Sequence, residues 1–310
     1  MNIRNGIAVA FTCVAGLLTA ASAQDDDGSF FDSFSGQDSD AQESSYNAPS
    51  AAPPASSSFR SSGNTLSVPG DARTISEAMI TARMGDTVYV GPGVYKERVI
   101  MAPGVALVAR GGLFAAKIDG MGRGTVVTMS KNCIISGFEV TNGTIGIFSS
   151  DLGNEISSCR IVKNWMTGII TVRHLPKIQD NIIAFNRASG IQGWDVRSTS
   201  STVNHNSIAY NGNHGIAIGG VSEFIIENNI IAFNERFGLK ILEAPEKIQV
   251  SSNNFFKNLY QPGRPLPENN FAFDPAFIAP RKGLNFKPDP GQCCKEKGSD
   301  DENLGARLTY

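Results

Sequence analysis

Between Ile156 and Asn258 one phrase recurs five times: an apolar residue, a Cys or Asn three places on, then a second apolar residue and a closing Asn. Its copies are Ile156-x-x-Cys159-x-Ile161-x-x-Asn164, Ile178-x-x-Asn181-x-Ile183-x-x-Asn186, Val203-x-x-Asn206-x-Ile208-x-x-Asn211, Ile226-x-x-Asn229-x-Ile231-x-x-Asn234 and Val250-x-x-Asn253-x-Phe255-x-x-Asn258. The closing Asn returns at spacings of 22, 25, 23 and 24 residues. A Gly-apolar pair keeps step with it at Gly146-Ile147, Gly168-Ile169, Gly190-Ile191, Gly215-Ile216 and Gly238-Leu239. Five copies in one register place the chain among repeat architectures.

The period selects which one. Each copy has room for two or three short strands of alternating apolar residues and carries no helical pattern, so a βαβ unit is excluded. What fits is one coil of an all-β parallel solenoid, each coil stacked on the last about 4.8 Å away. In that stack the amides form two columns. One runs through Asn181, Asn206, Asn229 and Asn253 with Cys159 at its head; the other runs through Asn142, Asn164, Asn186, Asn211, Asn234 and Asn258. Each amide is expected to bond its equivalent one coil away and to satisfy turn backbone groups that would otherwise be buried unpaired. Phe185, Tyr210 and Phe233 share one repeat position and form an aromatic column, read as packing in preference to a sugar-stacking strip.

A solenoid needs its open ends covered, since bare strand edges invite aggregation. At the N-terminal side, Thr74-x-x-Glu77 is a capping box followed by Ile75, Ala78, Met79 and Ala82 at helical spacing, so a capping helix is expected there. It leads into the strand Thr87-Val88-Tyr89-Val90. After Asn258 the repeat stops, and residues 259–310, with Phe271, Phe273, Phe277 and Phe286, form an irregular tail that covers the other end or lies along one flank.

The front of the chain has a different character. Residues 1–23 carry the marks of a secretory signal: Arg4, an apolar stretch from Ile7 to Leu18, and the small-residue pattern Ala21-Ser22-Ala23. Residues 24–63 are rich in Ser, Asp, Ala and Pro; seven acids against Arg60 give them −6, the composition of a disordered linker. The whole chain has 27 Lys and Arg against 29 Asp and Glu, a net charge of −2. Removing the linker (−6) and Arg4 (+1) leaves +3 for residues 64–310. That balance speaks against nucleic acid and suits an anionic ligand. Beyond the signal no apolar run reaches the roughly 18 residues of a membrane span, so no transmembrane anchor is expected in the mature chain. The expected location is outside the cytoplasm: secreted, periplasmic or on the cell surface.

The stretch Thr74-Ile75…Ala78…Ala82…Gly85-Asp86-Thr87-Val88-Tyr89-Val90-Gly91-Pro92-Gly93-Val94-Tyr95-Lys96-Glu97 resembles the opening of exported right-handed parallel β-helix proteins of the pectate-lyase-like superfamily. Asp274-Pro275-Ala276-Phe277…Leu284-Asn285-Phe286-Lys287-Pro288 and Asn303-Leu304-Gly305-Ala306 resemble their tails. The resemblance covers residues 64–306 and implies a single right-handed parallel β-helix, of roughly eight coils over residues 85–258. It does not imply a reaction, because the same helix carries lyases, hydrolases, esterases, epimerases and binders. Asn213-His214-Gly215-Ile216-Ala217-Ile218-Gly219-Gly220 is similar to a segment of polygalacturonase-type glycosidases, yet one and two coils back stand Ser189 and Thr167 where that mechanism needs carboxylates. Gly238-Leu239-Lys240 only partly echoes the Arg-Ile-Lys clamp of those enzymes. The Asp-Phe-Ile-Phe-Gly stretch of pectin methylesterases and the Asp-Pro-His-Glu signature of alginate epimerases are absent.

Candidate site residues follow each Gly-apolar pair. Five places after the Gly stand Asp151, Arg173, Asp195, Gly220 and Glu243, with His174 and Arg197 close by. Stacking is expected to set Asp151, Arg173 and Asp195 about one sheet spacing apart, as an alternating charge ladder or as a sugar groove. The groove reading assigns substrate binding to Asp151, Arg173, Gln192, Trp194, Asp195, Arg197 and Lys240: cations for a uronate carboxylate and an aromatic for the ring face. Arg173, His174 and Lys240 are the candidate catalytic bases, and Asp151 and Asp195 are acids that could hold Ca²⁺, the one ion in view. The expected function is binding of an anionic polysaccharide, with lyase or epimerase action on uronate-containing glycans as the alternative. Cys133, Cys159, Cys293 and Cys294 are even in number, and their pairing is left open.

Overall fold

The computed structural model describes residues 63–308 apart from 198, 221–222, 243–247, 259–268, 290, 292 and 301. The expected signal peptide and nearly all of the acidic linker lie outside those residues, as does Glu243. The chain winds through three parallel sheets of nine, eight and seven strands. Sheet 1 runs from Thr65–Val68 to Ile248–Ser251, sheet 2 from Gly93–Tyr95 to Asn254–Phe256, and sheet 3 from Val99–Ile100 to Leu239–Leu242. Each coil gives one strand to each sheet in turn, making about eight turns of solenoid.

The interior follows directly from the repeat. Ile135, Ile156, Ile178, Val203, Ile226 and Val250 stack in register on sheet 1; Val140, Ile161, Ile183, Ile208, Ile231 and Phe255 on sheet 2. Ile147, Ile169, Ile191, Ile216 and Leu239 do so on sheet 3, and all three columns belong to one buried core. The repeated Gly before sheet 3 is there for clearance. A Cβ on Gly168, Gly190 or Gly215 would sit 2.7 Å from the next coil's glycine carbonyl oxygen, well inside contact distance.

In the later coils both corners are built alike: a residue with left-handed backbone, then a ladder Asn. At the first corner Asp180, His205, Asn228 and Ser252 have φ between 51° and 58°. The following Asn181, Asn206, Asn229 and Asn253 form the first ladder, with Cys159 N–H donating to Asn181 Oδ1 (2.9 Å) at its head. The ladder runs one step beyond the sequence repeat, since Asn253 N–H donates to Asn270 Oδ1 at 3.0 Å. The second ladder holds Asn164, Asn186, Asn211, Asn234 and Asn258. Asn142 does not belong to it, contrary to expectation. Gly143 fills that slot and donates its N–H to Asn164 Oδ1 (3.1 Å), while Asn142 takes the left-handed place beside it (φ 56°) and donates to Asp119.

The helix Ile75–Thr81 packs on the first strands of sheets 1 and 3 through Ile75, Ala78 and Met79. Thr74 Oγ1 accepts from Glu77 N–H at 3.0 Å, and Glu97 accepts the N–H groups of Ile75 (3.0 Å) and Ser76 (2.8 Å). These bonds satisfy donors that a helix start leaves unpaired. No helix among the described residues is long and apolar enough to cross a membrane.

The C-terminal segment lies against the outer face of sheet 2. Phe286 and Leu304 bury against Val162, Ile182, Ala184 and Ala209 in one cluster and Ile230 and Ala232 in another. The aromatic column packs as expected: Phe185 and Tyr210 stack at 5.3 Å, Tyr210 and Phe233 at 4.8 Å, with Phe286 and Phe277 tilted against them. Residues of the first corner bind the same segment. Arg307 forks onto Asp180 (2.8 and 3.1 Å), His205 Nε2 meets Asp300 Oδ2 (2.9 Å), and Asn228 accepts from Ser299 N–H at 2.8 Å. Cys293 and Cys294 are bridged to each other inside this contact, a pairing the sequence reading had not weighed, while Cys133 and Cys159 are buried free thiols. Burial raises the Cys159 thiol to about 12, so it behaves as a small apolar residue.

Candidate functional site

Side chains alternate across a strand, so the column beside Ile169 and Ile191 on sheet 3 points away from the core. In register it holds Phe148, Ile170, Gln192, Ala217 and Lys240. Just before each strand the turn sets a second column, Thr167, Ser189, His214 and Phe237. It is aligned by the Gly168 N–H to Ser189 carbonyl (3.1 Å), Gly190 N–H to His214 carbonyl (2.9 Å) and Gly215 N–H to Phe237 carbonyl (2.9 Å) bonds.

These two columns meet. Thr167 Oγ1 donates to Gln192 Oε1 at 3.3 Å. His214 stacks on Phe237 at 5.4 Å, and Lys240 Nζ lies 5.9 Å from the same ring. His214 Nδ1 accepts the Phe237 N–H at 3.2 Å, so the proton of the neutral ring is on Nε2. Burial first, then the charges of Lys240 and Arg236, lowers the His214 imidazole to about 4. Gln192 and Lys240 are thus brought together with His214, Ser189 and Thr167, which the sequence had treated as leftovers of a glycosidase pattern.

The other expected site residues lie at the far end of the strands. Arg173 N–H bonds the Trp194 carbonyl (3.1 Å), and Arg197 N–H bonds the Arg173 carbonyl (2.7 Å), so Arg173, Trp194, Asp195 and Arg197 form one group. Arg173 and Asp195 both sit in left-handed backbone (φ 66° and 48°), which turns their side chains outward. The alternating charge ladder is not built. Among the described residues no ion pair joins Asp151, Arg173 and Asp195; Asp195 Oδ1 instead holds Arg197 Nε at 2.8 Å, an exposed pair two residues apart. Such a local pair wins because it needs no reach between coils, and exposed pairs of this kind are worth about 1 kcal/mol or less. His174 is half-buried, its Nδ1 enclosed without a hydrogen-bond partner, and its carbonyl accepts from Thr171 Oγ1.

One further point corrects the sequence reading. Trp194 is half-buried rather than an open plate; the exposed indole is Trp165, 48% accessible at the second corner with the Arg187 guanidinium 4.0 Å from its ring centre. Its position directly after a ladder Asn, at the top of a turn, was the available signal. The described residues form no group of three or more His, Cys, Asp or Glu side chains able to hold a metal ion.

A family model described as "Right handed beta helix region" matches residues 115–261. The solenoid is a right-handed parallel β-helix. No curated protein sequence matches the chain. Solved structures of similar shape include pectate lyase Pel9A, at 13% identity and TM-score 0.49 over 80% of this chain and 97% of that one. An alginate lyase from Paenibacillus sp. str. FPU-7 overlaps at 12% identity and TM-score 0.47, over 67% and 95%. Pectin methylesterase PemA from Erwinia chrysanthemi overlaps at 11% identity and TM-score 0.33, over 73% and 97%. Identity this low transfers no reaction from one chain to another.

Proposed function

We propose that this protein binds an anionic polysaccharide along the outer face of sheet 3, after export directed by residues 1–23 and with residues 24–63 as a tether. The observation that carries the reading is the charge on that face. Arg173, Arg236 and Lys240 stand on coils of one stack against Asp151, while Asp195 and Arg197 pair with each other. Stacked coils repeat such positions along a line, the geometry a polymer of charged sugars needs. Trp194 adds a half-buried aromatic edge beside the cations. In this reading the helix Ile75–Thr81 closes the N-terminal end of the stack and the C-terminal segment shields sheet 2, leaving sheet 3 for the ligand.

The second reading, lyase or epimerase action on a uronate, draws on one observation: the enclosed Nδ1 of His174 without a partner, one residue from Arg173. Both functions require a base next to a bound carboxylate. Incubation with uronate-containing polysaccharides separates the two readings. Retention without a new ultraviolet-absorbing unsaturated product supports binding, and growth of that product supports the lyase. If neither retention nor product is seen with any uronate or sulfated glycan, the proposal is refuted. Trp194→Ala is expected to weaken binding by about 1–2 kcal/mol, read by calorimetry.

A further inference from the structure

We infer that Ser189 and His214 form the floor of an oxyanion subsite on sheet 3, with Gln192 and Lys240 as its walls, that reads the charged group of a sugar unit. The inference rests on the proposed binding function and deepens it by naming the group recognised and the side chains that recognise it.

Ser189 is the observation that points to a ligand. The residue is 0% exposed, and its Oγ has no hydrogen-bond partner. A hydroxyl in that position ordinarily finds a protein acceptor, and one left without a partner loses about 1–3 kcal/mol of solvation. Its neighbours explain what would complete it. One coil along stands His214, 5% exposed, whose Nδ1 is used by the Phe237 N–H and whose Nε2 therefore carries a hydrogen. One coil back, Thr167 directs its hydroxyl to Gln192 Oε1, which leaves the Gln192 amide nitrogen as a donor. Lys240 lies over the Phe237 ring next to His214 and supplies positive charge.

Every group offered here donates, and no carboxylate stands in either column. The backbones of adjacent coils are about 4.8 Å apart, close enough for side chains from both to reach the two oxygens of one small oxyanion. The Thr167–Gln192 bond, 3.3 Å long, is the weakest in the group, so the Gln192 side chain is the part that turns to admit the anion. A uronate carboxylate and a sulfate ester share this chemistry.

The test is the affinity of the full chain for oligogalacturonate, for a sulfated oligosaccharide and for carboxyl-reduced, neutral oligogalacturonate, with Ser189→Ala, His214→Gln and Trp194→Ala variants alongside. Ser189→Ala breaks no bond within the protein, so its melting temperature is expected to stay the same or rise. Its affinity for the anionic probe is expected to fall about tenfold or more, as for loss of a hydrogen bond to a charged group. The neutral probe is expected to bind weakly to wild type and equally weakly to Ser189→Ala. Because His214 donates as the neutral ring, wild-type affinity should stay level from about pH 5.5 to 8, above the range where carboxylates titrate. The sulfated arm shows which oxyanion is preferred. Ser189→Ala binding the anionic probes as wild type does, while Trp194→Ala weakens, overturns the subsite and leaves the binding function standing. A wild-type chain that binds no anionic probe overturns both. Affinity that drops as pH rises past about 6.5 also overturns the subsite, since it would mean that imidazolium does the binding.

Discussion

Asn206 sits in the middle of the first ladder, 0% exposed, and its side chain makes five hydrogen bonds. Oδ1 accepts from Asn181 N–H and Asn181 Nδ2, both at 3.0 Å; Nδ2 donates to the carbonyls of Ile178 and Asn204, both at 2.9 Å, and to Asn229 Oδ1 at 3.0 Å. Asn206→Leu keeps the volume and removes all five. Asn181 N–H is left buried with no partner, at about 1–3 kcal/mol, and the four remaining losses at roughly 0.5–1 kcal/mol each bring the total to about 3–7 kcal/mol. That is a large part of the 5–15 kcal/mol a typical domain has. Asn206→Asp is the sharper probe. It keeps the acceptor that serves Asn181, but places a second oxygen against three acceptors: the Ile178 and Asn204 carbonyls and Asn229 Oδ1. Although isosteric, it is expected to cost at least as much as Leu at neutral pH, and to recover part of the loss in acid as the carboxyl gains a proton. Urea unfolding of the three proteins at pH 7 and pH 4 measures both effects. If Asp is tolerated better than Leu at pH 7, or either change costs under about 1 kcal/mol, the ladder is not what holds these corners.

Two further outcomes follow from the structure. His214 is held near 4 in the fold against 6.5 unfolded, so its contribution is fully present above 6.5 and is lost as pH falls through about 4; stability should drop by about 1–2 kcal/mol across that window, and His214→Gln should flatten the curve. Phe286, 2% exposed and packed on Phe185, Tyr210 and Phe277, anchors the C-terminal segment, so Phe286→Ala should cost about 3–5 kcal/mol and open that segment to proteases before the coils unfold.

The coils were legible because their information is local and repeated. Asn181, Asn206, Asn229 and Asn253 each do the same job in the same surroundings, so the sequence shows the job four times. Asn142 was misplaced for a physical reason: it precedes Asn164 by the same 22 residues that separate Asn164 from Asn186, yet Asn also suits left-handed backbone, and that is the place it takes. What the repeat does not encode was not legible. The grip of His205 on Asp300, 95 residues away, and of Asp180 on Arg307, 127 residues away, depends on how the last segment turns back. The charged groups were misjudged in the same way. Side-chain reach decides ion pairs on an exposed edge, and Asp195 found Arg197 nearer than Arg173. Trp194 is half-buried where a plate for a sugar ring was expected, because strand alternation does not hold at the strand end where it sits.

The residue that precedes each ladder Asn shows how such a fold divides its work. At the first corner it is Asp180, His205 or Asn228, polar and bound to the C-terminal segment; at the second it is Phe185, Tyr210 or Phe233, stacked and bound to the same segment from the other side. Between them sheet 2 presents Ala184, Ala209 and Ala232, small enough to let that segment close in. Sheet 1 neutralises itself across coils, as where Lys177 and Gln179 meet Glu155. Sheet 3 does neither: its turn column changes from Thr167 to Ser189 to His214 to Phe237 while the buried residues behind it stay Ile or Leu. Positions that vary in chemistry against a constant interior are free of the fold's demands. In this protein they are gathered beside Gln192 and Lys240.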